Sequence, residues 1–212
     1  MDDLEGARIE LERALLANDR TEARELLVFR CRDLPPLDRI DKLVCPVLDK
    51  IGIRWERGEV SLSQVYLSTK LSEELVDEII VVNDALRRST PAIAVSVLED
   101  HHMLGLKVVR MTLQSAGYDV IDYGRTTPDE IVRLACHDQV RYLLISTLML
   151  RSALLVKDVR ELLEANGCDM QIIVGGAPFR FDPQLWRRVR ADFTTTSPIE
   201  AIEYIRSREA ER

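Results

Sequence analysis

Apolar residues recur at helical spacing from the start of the chain to about residue 88. Leu4, Ala7, Leu11, Ala14 and Leu15 form one stripe, the pattern of a helix with a single buried face. A short helix is predicted to open at Asp19, with Glu22 as its capping-box partner. Asp33-Leu34-Pro35-Pro36 then interrupts the pattern. Leu37, Ile40, Val44, Val47, Leu48 and Ile51 make the next stripe. Pro46 lies inside it and predicts a kink or a restart, because proline lacks a donor and crowds the preceding turn. Gly58 ends that helix. Ser61 with Gln64 opens a long one whose face carries Leu71, Leu75, Ile79, Val82 and Leu86. Four helices with short connections predict an antiparallel bundle.

At Ser89-Thr90-Pro91 the period changes. Ala92 to Leu98, Tyr118 to Asp122, Tyr142 to Ser146, Gln171 to Val174 and Asp192-Phe193-Thr194 read as strands, each followed by a helical segment. Thr127-Pro128-Asp129-Glu130 and Ser197-Pro198-Ile199-Glu200 each supply a cap, a proline at the first helical position and a glutamate at the third. Strict alternation predicts an α/β domain with a parallel sheet and right-handed crossovers. Five strands fit the flavodoxin-like (Rossmann-like) order 2-1-3-4-5, whose switch point lies between strands 1 and 3. The expected organisation is a helical bundle over residues 1–88 and the α/β domain over 89–212.

Composition narrows the class. The chain has 212 residues, 46% hydrophobic and 31% charged, with a net charge of -7. That balance describes a soluble globular protein and disfavours nucleic acid and anionic membranes, which need clustered positive charge. No apolar run approaches the roughly 20 residues of a membrane span. Met1-Asp2-Asp3-Leu4-Glu5 lacks the features of a signal peptide, which predicts a cytoplasmic protein. Cys31, Cys45, Cys136 and Cys168 form no CxxC. No thiolate zinc site is indicated, and buried reduced thiols are expected.

The predicted switch point gathers three loops at the carboxyl ends of strands, where α/β sheets hold their ligands. The first carries Asp100 and His102, and the Asp100 carboxylate could accept one imidazole N–H and raise the basicity of the other nitrogen toward a metal. The second starts at Ser146-Thr147-Leu148. The third starts at Gly175-Gly176, where a missing Cβ permits close backbone approach. Spacing alone also fits a surface histidine, an Asp100 that caps a helix, a Ser146 that caps the next one and a Gly-Gly turn.

Together the loops resemble the DxHxxG, SxL and GG signature of cobalamin-binding domains, here Asp100-x-His102-x-x-Gly105, Ser146-x-Leu148 and Gly175-Gly176. In the helical half, Gly52-x-x-Trp55-x-x-Gly58 resembles the cap bundle of corrinoid carrier proteins in methyltransferase systems. The resemblance implies that His102 is the lower axial cobalt ligand, with Asp100 hydrogen-bonded behind it. Gly105 would let the nucleotide tail of the corrinoid pass, and Ser146, Leu148, Gly175 and Gly176 would line its slot. Ser152 matches the position at which some relatives complete a relay to solvent, and otherwise reads as an exposed serine at a helix start. Trp55 would cover the upper face, or else sit in the bundle core. Glu99 and Met103 depart from the family's usual Gly and Asp, and His101 is an unusual neighbour.

The function so implied is that of a methyl carrier rather than an autonomous enzyme. Cobalamin, as methylcobalamin or hydroxocobalamin, would carry a methyl group on cobalt between a substrate-side and an acceptor-side methyltransferase of an O- or N-demethylation system. A corrinoid reductive activase would be a third partner. Opening of the bundle for each partner points to a hinge near Arg87 to Pro91. Rival functions are a cobalamin-dependent sensor, the cobalamin-binding subunit of a mutase, and a flavodoxin-like domain with another ligand. The light-sensing relatives carry Trp, nine residues, then Glu-His, where this chain has Val65-Tyr66 after Trp55.

Overall fold

The computed structural model describes residues 2–79 and 92–211, and the chain divides into two compact units, Met1–Val82 and Asn83–Arg212. The expected junction at Ser89-Thr90-Pro91, the hinge from Arg87, and Val82 and Leu86 of the long helix lie outside the described residues.

In the first unit, α1 (Asp2–Leu16) buries Ala7, Leu11, Ala14 and Leu15 of the predicted stripe and leaves Leu4 half-buried. Asp19 caps α2 (Arg20–Arg24) by accepting from the amide of Glu22, and the helix widens into a π-helical stretch, Glu25–Arg30. After α3 (Pro36–Arg39) a second π-helical stretch, Ile40–Val44, leads into α4 (Cys45–Glu56). This is the disturbance expected at Pro46. The chain takes a wide turn, with the Cys45 amide donating to Ile40, and restarts so that Pro46 falls in a first turn, where its missing donor leaves nothing unbonded. Ser61 and Gln64 form the predicted reciprocal cap of α5 (Leu62–Ile79), at 3.2 and 3.1 Å.

The second unit holds a five-stranded parallel sheet in the order β2-β1-β3-β4-β5, as the alternating pattern predicted. The strands are β1 (Ile93–Leu98), β2 (Val120–Thr126), β3 (Tyr142–Ser146), β4 (Gln171–Gly175) and β5 (Phe193–Thr195). Helix α6 (Leu104–Ser115) follows β1, and α7 (Pro128–His137) follows β2. After β3 come α8 (Leu150–Leu154) and α9 (Val156–Ala165), and after β4 come α10 (Ala177–Phe181) and α11 (Leu185–Arg188). The short α8, α10 and α11 split what the apolar spacing suggested were single helices. Helix α12 (Pro198–Ala210) closes the unit behind its Ser197 cap.

Side chains of β1 alternate between two cores. Ile93, Val95 and Val97 pack with Leu106, Leu113, Ala201 and Ile205, whereas Ala94 and Leu98 pack with Ile131, Val156, Val159 and Leu163. Burial on both faces is why β1 and β3 read as unbroken apolar runs. Edge strand β2 starts later than predicted and runs four residues past the predicted Asp122. Its register against β1 slips between Val95 and Val97, with Gly124 at φ 63°. An edge strand with polar residues and a bulge has no clean period to read.

The cysteines differ from expectation. Cys136 and Cys168 are joined in a disulfide, and Cys31 and Cys45 are half-buried cysteines outside that bond. The bond links the last turn of α7 to the turn after α9, two helices packed side by side. Only that packing brings together residues 32 apart in the chain. Among the described residues no helix is long and apolar enough to cross a membrane.

Candidate functional site

The end of β1 makes a sharp turn. Glu99 adopts φ 48°, the left-handed conformation that glycine favours, and its amide donates to the carbonyl of Thr126 at 2.9 Å. The chain therefore enters Asp100 at a fixed angle. Asp100 is 4% exposed. Its Oδ1 accepts from the His101 amide at 2.7 Å, from the His102 amide at 3.3 Å and from His102 Nδ1 at 3.0 Å. Its Oδ2 accepts from the amides of Leu148 and Met149, both at 3.0 Å. Burial pushes this carboxyl up, but the hydrogen bonds from His102, Leu148, Met149 and His101 outweigh it and hold the group well below the usual carboxylate range.

The structure thus brings Asp100 and His102 together. With Nδ1–H donated to the carboxylate, the imidazole lone pair lies on Nε2, on the side of the ring away from Asp100. His101 gives Asp100 its amide and is itself exposed. The sequence offered no sign that the backbone of the β3–α8 loop would grip the same carboxylate, because amides carry no signature in residue type.

The glycines also answer to a packing constraint that the sequence did not show. A Cβ on Gly105, in the first turn of α6, would overlap the hydroxyl of Ser146. Gly176, at φ 115°, lies so close to Thr147 that a Cβ would overlap the Thr147 carbonyl oxygen. A Cβ on Gly175 would stand 3.2 Å from the Thr195 carbonyl. Close approach of the β3 end therefore already requires glycine at 176, and it crowds 105 and 175, before any ligand is considered.

Ser146 ends β3, and beyond it Leu148, Met149, Leu150 and Leu154 form an exposed apolar rim. Ser152 is buried in α8 rather than exposed at the helix start, and it makes no hydrogen bond to Asp100, whose second oxygen is occupied by the Leu148 and Met149 amides. The relay to solvent is not formed in this geometry. A groove of about 500 Å³ on the α7 and α9 side of the loop is lined by Glu99, Asp129, Asp158 and Glu161, with Pro128 and Leu162. In the helical unit, Trp55 is 40% exposed and not a core aromatic, and it shares the α4 and α5 surface with exposed Ile53, Leu62, Tyr66 and Leu67. Gly52, one turn before Trp55, has nothing within 4 Å of where a Cβ would stand.

Two residues near the site lie outside the motifs that the sequence singled out. Ser96 and Thr126 are buried hydroxyls joined at 2.7 Å just ahead of the Glu99 turn. A serine in an apolar strand was the one available hint.

A doubly wound sheet with an imidazole held by a carboxylate at its switch point defines a flavodoxin-like domain built to hold a ligand at the ends of β1 and β3. A family model described as "B12 binding domain" matches residues 90–203, and a second with that description matches residues 8–80. The chain belongs to the B12-binding family. Dimethylamine corrinoid protein 3 of Methanosarcina acetivorans is 27% identical over 208 residues, covering 95% of this chain and 96% of that one. Monomethylamine corrinoid protein 1 of the same organism is 33% identical over 181 residues, covering 80% and 82%. The structure of Methanosarcina barkeri monomethylamine corrinoid protein matches with a TM-score of 0.79 at 22% identity, covering 94% of this chain and 97% of that one. The fold extends across both units of the chain.

Proposed function

We propose that this chain is a corrinoid-binding methyl carrier, with His102 as the axial cobalt ligand. The observation that carries the proposal is the Asp100–His102 pair at the end of β1, in a chain related to methylamine corrinoid proteins along nearly its whole length. A bound corrinoid supplies a cobalt that takes up and gives away a methyl group. The residues fit such a group, because an imidazole with its lone pair on Nε2 is a suitable axial donor and the rim of Leu148, Met149, Leu150 and Leu154 offers apolar surface beside it.

The chain's own contribution is to ligate, orient and shield. Asp100 fixes the tautomer of His102 and ties its loop to the β3–α8 loop. Ser146, Leu148, Gly175 and Gly176 line the crevice for the nucleotide tail, with Gly105 beside them. Exposed Trp55, with the open backbone of Gly52 one turn before it, supports a role for the bundle in shielding the cofactor from water. Partners follow from the role: a methyltransferase that loads the methyl group, a second that unloads it, and an activase that returns oxidised cobalt to the reactive state. The carrier and its partners work in the cytoplasm.

Reconstitution with hydroxocobalamin tests the proposal. Reduced to cobalt(II), the complex should show the nitrogen triplet in its electron paramagnetic resonance spectrum. With the protein's histidines labelled with nitrogen-15 the triplet becomes a doublet, which marks the imidazole and not the cofactor's own base, and this doublet should vanish in His102→Ala and persist in His101→Ala. The reverse pattern would overturn the ligand assignment, and failure of the wild-type chain to bind any corrinoid would overturn the function.

A further inference from the structure

Ser96 is fully buried in β1, on the face it shares with Ala94 and Leu98. A buried hydroxyl is costly unless it is bonded. Ser96 Oγ lies 3.0 Å from the carbonyl oxygen of Gly124 and 2.7 Å from Oγ1 of Thr126, which is 4% exposed. Each hydroxyl has one proton and a carbonyl only accepts, so Ser96 donates to Gly124 and Thr126 donates to Ser96.

Both partners belong to the irregular end of β2. The β1–β2 register slips between Val95 and Val97, and Gly124 takes φ 63°. Immediately beyond, the Thr126 carbonyl accepts the amide of Glu99, the residue forced to φ 48°. A glutamate does not choose that conformation by itself. Its side chain has only a weak hold, with Arg151 at 3.8 Å and 87% exposed. The next residue is Asp100, and His102 hangs from it.

We propose that the Ser96–Thr126 hydroxyl chain is a positioning device for the imidazole loop. It closes the bulge, presents the Thr126 carbonyl to Glu99, holds the left-handed turn there and so aims Asp100 and His102. Ser96 and Thr126 touch neither ligand nor cofactor in this role. The device rests on His102 being the axial ligand.

Diaquocobinamide, a corrinoid without a nucleotide tail, is the probe, because its retention depends on the imidazole. Its dissociation constant is read from the visible spectrum of the nitrogen-bound form, alongside urea midpoints of the unloaded proteins. Thr126→Val keeps the shape and removes the proton, whereas Thr126→Ser keeps the hydroxyl. Thr126→Val should weaken binding about fivefold, the factor brought by loss of one neutral hydrogen bond, and Thr126→Ser should bind as the wild type does. Ser96→Ala should be worse, since it removes the bonds to both Thr126 and Gly124. If Ser96→Ala does not fold, the two Thr126 variants decide the question by themselves. Lower urea midpoints with unchanged binding would make the pair merely structural and overturn the proposal. His102→Ala, run in parallel, separates the two readings: undiminished cobinamide binding there would sink the ligand assignment itself.

Discussion

The Oδ2 atom of Asp100 accepts the amide hydrogen of Leu148 at 3.0 Å, across 48 residues of chain. The carboxylate that orients His102 is therefore also the tie between the β1–α6 and β3–α8 loops. Asn at this position offers one acceptor oxygen, and its NH2 must face either two backbone amides or those of the histidines. Asp100→Asn should cost about 2–3 kcal/mol of stability at neutral pH through a lost charged hydrogen bond. The folded carboxyl lies below its unfolded value near 3.9, so this stabilisation is complete above about pH 5. It fades as pH falls through the unfolded value toward the folded one. Urea unfolding of wild type and variant from pH 7 to pH 3 should give a gap that narrows on the acid side. A gap of constant size would mean that the charge is not what binds the loops.

Gly176 and Gly105 should respond differently to alanine. At Gly176 the added Cβ meets backbone, the carbonyl of Thr147, at a φ of 115°, and neither can give way cheaply. Gly176→Ala should destabilise the unloaded protein by about 2–4 kcal/mol. At Gly105 the obstacle is the Ser146 hydroxyl, so Ser146→Ala should relieve most of the cost of Gly105→Ala in a double-mutant cycle. Additive costs at that pair would contradict the contact.

Gly52 poses the opposite case. It sits inside α4 with open space where a side chain would stand, so alanine should raise the stability of the unloaded protein by about 1 kcal/mol. If the Trp55 face covers a corrin, the same change should weaken hydroxocobalamin binding. Corrinoid binding should also quench Trp55 fluorescence once Trp186 is replaced by phenylalanine. Stabilisation with affinity and fluorescence both unaltered would separate this face from the cofactor.

The Cys136–Cys168 bond closes a long loop. Its reduction, or the double change Cys136→Ser with Cys168→Ser, should lower stability by about 3–4 kcal/mol on the chain-entropy account. Alkylation and mass measurement before and after reduction identify the bonded pair. Four reactive thiols in the unreduced, unfolded protein would show that the bond does not form. Rapid thiol trapping in cells would show in which compartment it exists, since cytosolic disulfides are rare.

Local pattern by itself determined the helices of the first unit, the strands β1, β3 and β4, the sheet order and the pairing of Asp100 with His102. The helices, strands and the pair follow from short-range rules, namely a helical period, an apolar run, a capping residue, a proline and an offset of two residues, and the sheet order follows from five strands alternating with helices. Ser61 with Gln64 and Thr127 with Glu130 could be read as caps because both partners lie within one turn. Tertiary structure decided the remainder. The grip of Leu148 and Met149 on Asp100 uses backbone amides, which every residue has. The crowding at 105 and 176 comes from Ser146 and Thr147 on a different strand end, and Ser152 is buried in α8 while the Leu148 and Met149 amides take the second carboxylate oxygen. Trp55 has the same spacing whether it is buried or exposed, and only the packing of α4 and α5 leaves it at the surface. The disulfide and the Ser96–Thr126 pair likewise join residues that nothing but the folded sheet and its helices bring within reach.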